Sequence, residues 1–332
     1  LNAFDKPLMY MSPELAQVVT YLHSQDAVAI GVDLLVPESG RDRLRDLAAP
    51  EGLGNLELMG RAVNAAGNVV LPLWILPDRE PIRPVYEWVD EFFGPWNRLG
   101  FVNLTIDPDT FVRRQQLRTT DDQGRLVPSF ALALFSKQRG YSEEWAAKAL
   151  LPIDGESIPL NANGDFRINY VGPPDTIPSI PFGDVLDAAE NGSVIDCKFK
   201  DAVVLIGVTG ASGQDWHATP YVTQSVLQTL VSAGSRDRSG MMSGVEVHAN
   251  VLATLMDREF IVTPRWLSTP FLLTVFGIVL GSFFARASLE TGAALVVVHC
   301  VVWQAFSILA FRWASWRIET VPMLLLVIVL YG

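Results

Sequence analysis

The sequence predicts an α/β protein: a central, mainly parallel or mixed sheet with helices on both faces, followed by transmembrane helices. Three observations predict it. Short apolar runs of strand length alternate with amphipathic stretches through residues 1–266. Runs such as 27–36 and 201–207 are apolar almost throughout, as strands buried on both faces are. Beyond residue 266 the only charged residues are Arg286, Glu290, Arg312, Arg317 and Glu319.

Residues 12–24 read as a helix. Ser12 suits the N-cap, Pro13 fits the first turn, and Leu15, Val18, Val19 and Leu22 share one face. Residues 27–36 read as a buried strand broken only by Asp33. Residues 41–64 have helical tendency, and 68–74 form another strand. The runs 100–106 and 111–117 flank Asp107-Pro108-Asp109-Thr110, a hairpin-like turn. Residues 129–139 read as a helix, 166–171 as a strand, 182–189 as a short helix, 201–207 as a buried strand, and 244–256 as a last helix.

Residues 267–285 are 19 residues without a charge. At about 1.5 Å per residue they come close to the hydrocarbon thickness of a bilayer. Residues 291–311 form a second uncharged run, and 321–332 begin a third. Trp313 and Trp316, in the polar link between them, suit a membrane interface. The predicted organisation is a soluble domain, 1–266, and a membrane region, 267–332, with three spans. Three spans put the soluble domain and whatever follows Gly332 on opposite faces. Arg258, Arg265, Arg312 and Arg317 flank the spans on the soluble-domain side against Arg286 on the other, a count too small to orient a large domain. His299 and Gln304, inside the second run, read as helix-to-helix hydrogen-bonding groups. The chain starts at Leu1 without Met and stops inside an apolar run, so it reads as a piece of a longer protein.

Residues 1–266 carry 22 basic and 34 acidic residues, a net of −12. Such a domain repels phosphate backbones, which argues against a nucleic-acid partner. Cys197 and Cys300 lie in different environments, and no Cys/His spacing suits zinc.

Gly207-Val-Thr-Gly210-Ala-Ser-Gly213 after a buried strand looks like a dinucleotide-binding turn. The residues from Gln214 to Pro220 are a poor helix start, however, and Trp216 stands where close packing needs a small side chain. Asp215, His217, Glu246 and His248 could form a metal or acid–base cluster. The favoured reading is structural: Asp215 and Thr219 hold a turn, while Glu246 and His248 lie on the last helix. Asp33 and Glu38, at a strand end, could line an acidic ligand pocket, or Asp33 could cap a turn. Arg113 could meet an anion, but pairing of Arg113 and Arg114 with Asp107 and Asp109 across the hairpin is favoured.

Several segments, in order, resemble the type-two CHASE domain, a sensory extracellular module of bacterial receptors. Ala29-Ile-Gly-Val-Asp-Leu-Leu-Val-Pro-Glu38 is similar to its early strand. Gly100-Phe-Val-Asn103 with Asp107-Pro-Asp-Thr-Phe-Val-Arg113-Arg114 is similar to its hairpin, with Thr110 where the family pattern has glycine. Val204-Leu-Ile-Gly-Val-Thr-Gly-Ala-Ser-Gly-Gln-Asp215 with Thr219-Pro220 resembles its late strand and turn. Ser243-Gly-Val-Glu-Val-His-Ala-Asn250 resembles its final helix.

The resemblance implies an extracytoplasmic sensor in the inner membrane, feeding a cytoplasmic nucleotide cyclase, diguanylate cyclase or protein kinase. It implies no catalytic residue, metal or cofactor in these residues. The expected partners are the lipid bilayer, an unidentified small-molecule or periplasmic ligand, and a second copy of the chain. Candidate ligand or signalling positions are Asp33, Glu38, Asp107, Arg113, Asp215, His217, Thr219, Glu246, His248 and Asn250. The alternative is a membrane-anchored α/β enzyme using the turn at 207–213 or the Asp/His cluster.

Overall fold

Residues 29–32, 69–73 and 99–101 are buried at every position, as expected of strands covered on both faces. The computed structural model describes residues 10–36, 51–76, 80–84, 98–142, 145, 152–153, 155–195, 199–209, 215–222 and 240–331. In chain order its helices are α1 (Ser12–Ser24), α2 (Glu51–Ala66), α3 (Phe130–Arg139), α4 (Phe182–Asn191), α5 (Gly244–Asp257), α6 (Thr269–Phe284), α7 (Leu289–Ala314) and α8 (Val321–Tyr331). Its strands are β1 (Ala29–Val32), β2 (Val69–Leu73), β3 (Leu99–Phe101), β4 (Thr105–Ile106), β5 (Val112–Gln116), β6 (Arg118–Thr120) and β7 (Leu126–Pro128). These are followed by β8 (Pro152–Ile153), β9 (Glu156–Ser157), β10 (Asp165–Arg167), β11 (Val203–Ile206), β12 (Trp216–Ala218) and β13 (Met241–Ser243). The chain divides into two compact units, 1–258 and 259–332.

In the first unit a four-stranded sheet runs in the order β11-β1-β2-β3, and every pairing is parallel. Side chains along a strand alternate between faces. Ile30 and Val32 of β1 therefore join the core formed with α1, α2 and α4. Gly31 points to the other face, where α3 crosses β1, β2 and β3 and packs on α5. The predicted α/β sheet with helices on both faces is the fold observed. A smaller antiparallel sheet, β10-β5-β4, carries the predicted hairpin.

Boundaries differ from the sequence reading in instructive ways. Ser12 lies inside α1 rather than capping it: Met11 is the N-cap and makes no side-chain cap bond. Ser129 does cap α3, its hydroxyl accepting the Leu132 N–H at 3.2 Å. The helical stretch predicted over 41–64 appears as Glu51–Ala66, and 41–50 lie outside the described residues.

The second unit holds three apolar helices. α7 has 26 residues and is long and apolar enough to cross a membrane. It is longer than its uncharged run, because Leu289, Glu290 and the residues to Ala314 join it at the two ends. α6 has 16 residues and α8 has 11. Leu272, Trp303 and Met323, one from each helix, are buried together.

Candidate functional site

The order β11-β1-β2-β3 contains a reversal. The chain runs outward from β1 to β2 and β3, then returns to place β11 on the other side of β1. In open parallel sheets the crevice beyond the carboxyl ends of the strands at such a reversal is the natural ligand site. Asp33 stands there, directly after β1. Its N–H donates to the Ile206 carbonyl at 2.7 Å and continues the ladder to β11. By alternation its side chain follows Gly31 towards the α3–α5 face.

The second wall comes from β12 and β13. They pair antiparallel, Trp216 opposite Ser243 and His217 opposite Met242, and β13 runs straight into α5. This brings Asp215 to the first turn of α5, where its carbonyl accepts the Gly244 N–H at 3.1 Å. The Asp215 Oδ1 and His217 Nε2 atoms lie 2.6 Å apart. His248 is on the same face of α5 as Gly244, one turn further along. It is buried and bonds to the Val102 backbone just past β3, and its ring meets that of Phe130 edge-on at 5.5 Å.

The electrostatics follow from this crowding. Burial pushes the Asp33 carboxyl up to about 7, the negative charge of Asp215 adds to the rise, and His217 opposes it. The hydrogen bond from His217 holds Asp215 below the usual carboxylate range. Burial pushes His248 down to about 4, so its ring is neutral at physiological pH, although Asp215 pulls the other way. Thr219 Oγ1, Ser243 Oγ and His248 Nδ1 are buried without a hydrogen-bond partner among the described residues. The two carboxyls of Asp33 and Asp215 and the two imidazoles of His217 and His248 therefore lie close enough at the reversal to act on one another's charge. Among the described residues no group of three or more His, Cys, Asp or Glu side chains could hold a metal ion.

The remaining sequence-predicted residues lie elsewhere or serve the fold. Glu246 and Asn250 face segment 169–175, not the crevice. Glu246 accepts the Asp175 N–H at 2.8 Å, and Asn250 accepts the Val171 N–H at 2.9 Å. Thr254, a further turn on, accepts the Asn169 N–H at 3.0 Å. One face of α5 thus holds that segment as a neighbouring strand would. Burial raises the Glu246 carboxyl, against its backbone hydrogen bond.

Asp107 and Arg113 belong to the hairpin. Arg113 grips Asp109 with two 2.8 Å bonds and reaches Asp107 at 3.2 Å. Arg114 bonds Asp107 at 2.7 Å and Asp165 at 3.3 Å. Burial opposes the Asp107 charge, but hydrogen bonds from Arg114 and Arg113 hold the carboxyl below its ordinary value. Both arginines are committed to carboxylates, the favoured reading from sequence. Glu38 and residues 210–214 lie outside the described residues.

Gly207 has its own explanation: a Cβ there would lie 2.5 Å from Val245 Cβ, so glycine lets β11 meet α5. Residues 216–218 form a strand, where a dinucleotide turn would open a helix. Sequence reasoning missed Asn103, whose amide bonds the Ile75 N–H at 2.8 Å and its carbonyl at 2.9 Å, tying together the exits of β2 and β3. Its signal, a lone Asn after a buried strand, is indistinguishable from a turn residue.

A parallel sheet with ionisable side chains at its reversal thus stands in a chain that also carries apolar helices. The family description "CHASE2 domain" matches residues 10–285, and the chain belongs to that family. The CHASE2 domain is an extracellular sensory domain of signalling receptors. No curated protein and no solved structure matches the chain.

Proposed function

We propose that this chain is the sensory region of a bacterial transmembrane receptor, placed in the inner membrane with 1–266 outside the cytoplasm. α6, α7 and α8 are three spans, and the chain works with a cytoplasmic cyclase or kinase domain. A small-molecule or periplasmic stimulus acts at the reversal crevice around Asp33, Asp215, His217 and His248. A stimulus shifts a receptor only by binding two states unequally. Loss or gain of charge at Asp33 supplies such a difference, because burial, and after it the charge of Asp215, penalises its ionisation.

One observation carries this reading. The family match does not stop at the end of the α/β unit but runs to residue 285, through α6. The apolar helix is part of the family's unit, which suits a domain whose state is passed directly into a membrane segment.

Reporter fusions test it. Alkaline phosphatase, active only outside the cytoplasm, is inserted after Asn163 in the exposed turn preceding β10, or fused after Gly332. The proposal expects activity at the first site and none at the second. Activity at the second alone would overturn it.

A further inference from the structure

Gln304 is an exposed amide near the middle of α7. It lies about 4 Å along the axis from the helix midpoint and has no hydrogen-bond partner among the described residues. Hydrocarbon gives an amide nothing to bond to, so a side chain at this depth needs a protein partner. His299 and Trp303 face inward instead: they stack on each other and meet Phe276 of α6. Their Nε2 and Nε1 atoms are buried without a partner among the described residues, so Gln304 differs from them in facing outward.

Gln304 also belongs to a pattern. Val297, Val301, Gln304, Ile308 and Phe311 are spaced 4-3-4-3, and all five are exposed. At about 100° per residue they form one stripe, roughly a third of a turn round α7 from buried Trp303. This is the seam along which two helices cross at a shallow angle, β-branched and aromatic knobs with one polar position setting the register.

We infer that this stripe of α7 is the contact surface for α7 of a second copy of the chain, joined by a Gln304–Gln304 amide pair. The amide itself selects the occupant. It carries a donor and an acceptor on one group, so two copies about a two-fold axis satisfy each other, which lipid cannot do. The seam is free of the inward face that α6 and α8 use, so pairing needs no rearrangement of the unit. The inference requires only that α7 lies in lipid, so its failure would leave the sensory reading standing.

The test uses the full chain in phosphatidylcholine–phosphatidylglycerol vesicles, with donor or acceptor dyes on N-terminal tags. Energy transfer is followed against protein-to-lipid ratio. Gln304→Leu is expected to weaken association by about three- to thirtyfold, and Gln304→Asn to retain most of it. In a background of Cys197→Ser with Cys300→Ser, Val301→Cys is expected to cross-link to itself on oxidation, and Val302→Cys, next to the stripe, is not. Equal association of Gln304→Leu and the parent, or cross-linking at 302 in place of 301, would overturn the inference.

Discussion

Gly244 has no room for a side chain because of Asp215. A Cβ on Gly244 would lie 1.9 Å from Asp215 Oδ2, while the Gly244 N–H donates to the Asp215 carbonyl at 3.1 Å. The carboxylate that pairs with His217 is therefore seated on the bare first turn of α5.

That seating predicts the sign of Gly244→Ala. Helix propensity alone would make the change stabilising by about 0.5–1 kcal/mol. Here the methyl must push the Asp215 carboxylate away from His217, and the chain is expected to lose about 1–3 kcal/mol. Thermal unfolding of the full chain in detergent measures it. A raised Tm would show that the carboxylate is not held against the glycine.

Asp33 sets a pH dependence. An ordinary aspartate ionises near 3.8, whereas burial raises this one to about 7. Between those values the folded state holds a proton that the unfolded state has released. Stability from this group is thus present below the unfolded pKa and lost as pH rises through about 7. Asp33→Asn cannot ionise, so its Tm should exceed that of the parent at about pH 8 and converge with it in acid. Parallel melting curves across the range would contradict this.

His248 works in the opposite direction. Its folded value near 4 lies below the ordinary 6.5, so its contribution is lost as pH falls from about 6.5 through 4. His248→Gln should lower Tm at neutral pH, since the buried site is repacked, but flatten the acid side of the Tm profile. An unchanged acid slope would mean that another group carries the acid sensitivity.

Along α5, Glu246, Asn250 and Thr254 hold the backbone of Asp175, Val171 and Asn169. Asn250 is 1 % exposed, so Asn250→Ala leaves the Val171 amide without its acceptor and should cost about 1–3 kcal/mol. Glu246→Ala is closer to water and should cost less. Amide hydrogen exchange at Val171 should rise in Asn250→Ala, and protection equal to the parent would rule the ladder out.

Thr110 stands at φ +71°, in the left-handed region that disfavours a β-branched residue. Thr110→Gly removes that strain at the tip of the Asp107–Phe111 turn and should raise stability by up to about 1 kcal/mol, after allowing for the entropy of glycine. A lower Tm would show that the Thr110 side chain supports the turn.

How much was legible in advance depends on range along the chain. β1 and β2 announce themselves as buried because every side chain is apolar, whereas the equally apolar β11, expected buried, lies at the sheet edge and is buried only at Ile206. The hairpin ion pairs are legible because Asp107, Asp109, Arg113 and Arg114 are close in sequence. Asp33 was placed at a strand end, but not its neighbours: Asp215 and His217 reach it only through the β12–β13 pairing, which the sequence does not advertise. Glu246 and His248 read as neighbours on one helix, with Asn250 further along it. The spacing hides that His248 faces Phe130 while Glu246 and Asn250 face segment 169–175. Ser12 has the residue type of a cap, yet the chain enters α1 one residue earlier, at Met11.

The central claim is that the state of the crevice is read across the membrane. Fusing residues 1–332 to an adenylyl cyclase catalytic domain, and comparing cyclase output of the parent with Asp33→Asn and His217→Gln in intact membranes, tests it most directly. The account predicts several-fold changes in output for both variants, with Glu57→Gln, in an exposed helix pair, matching the parent. Identical output from all four proteins, at equal amounts in the membrane, would contradict it.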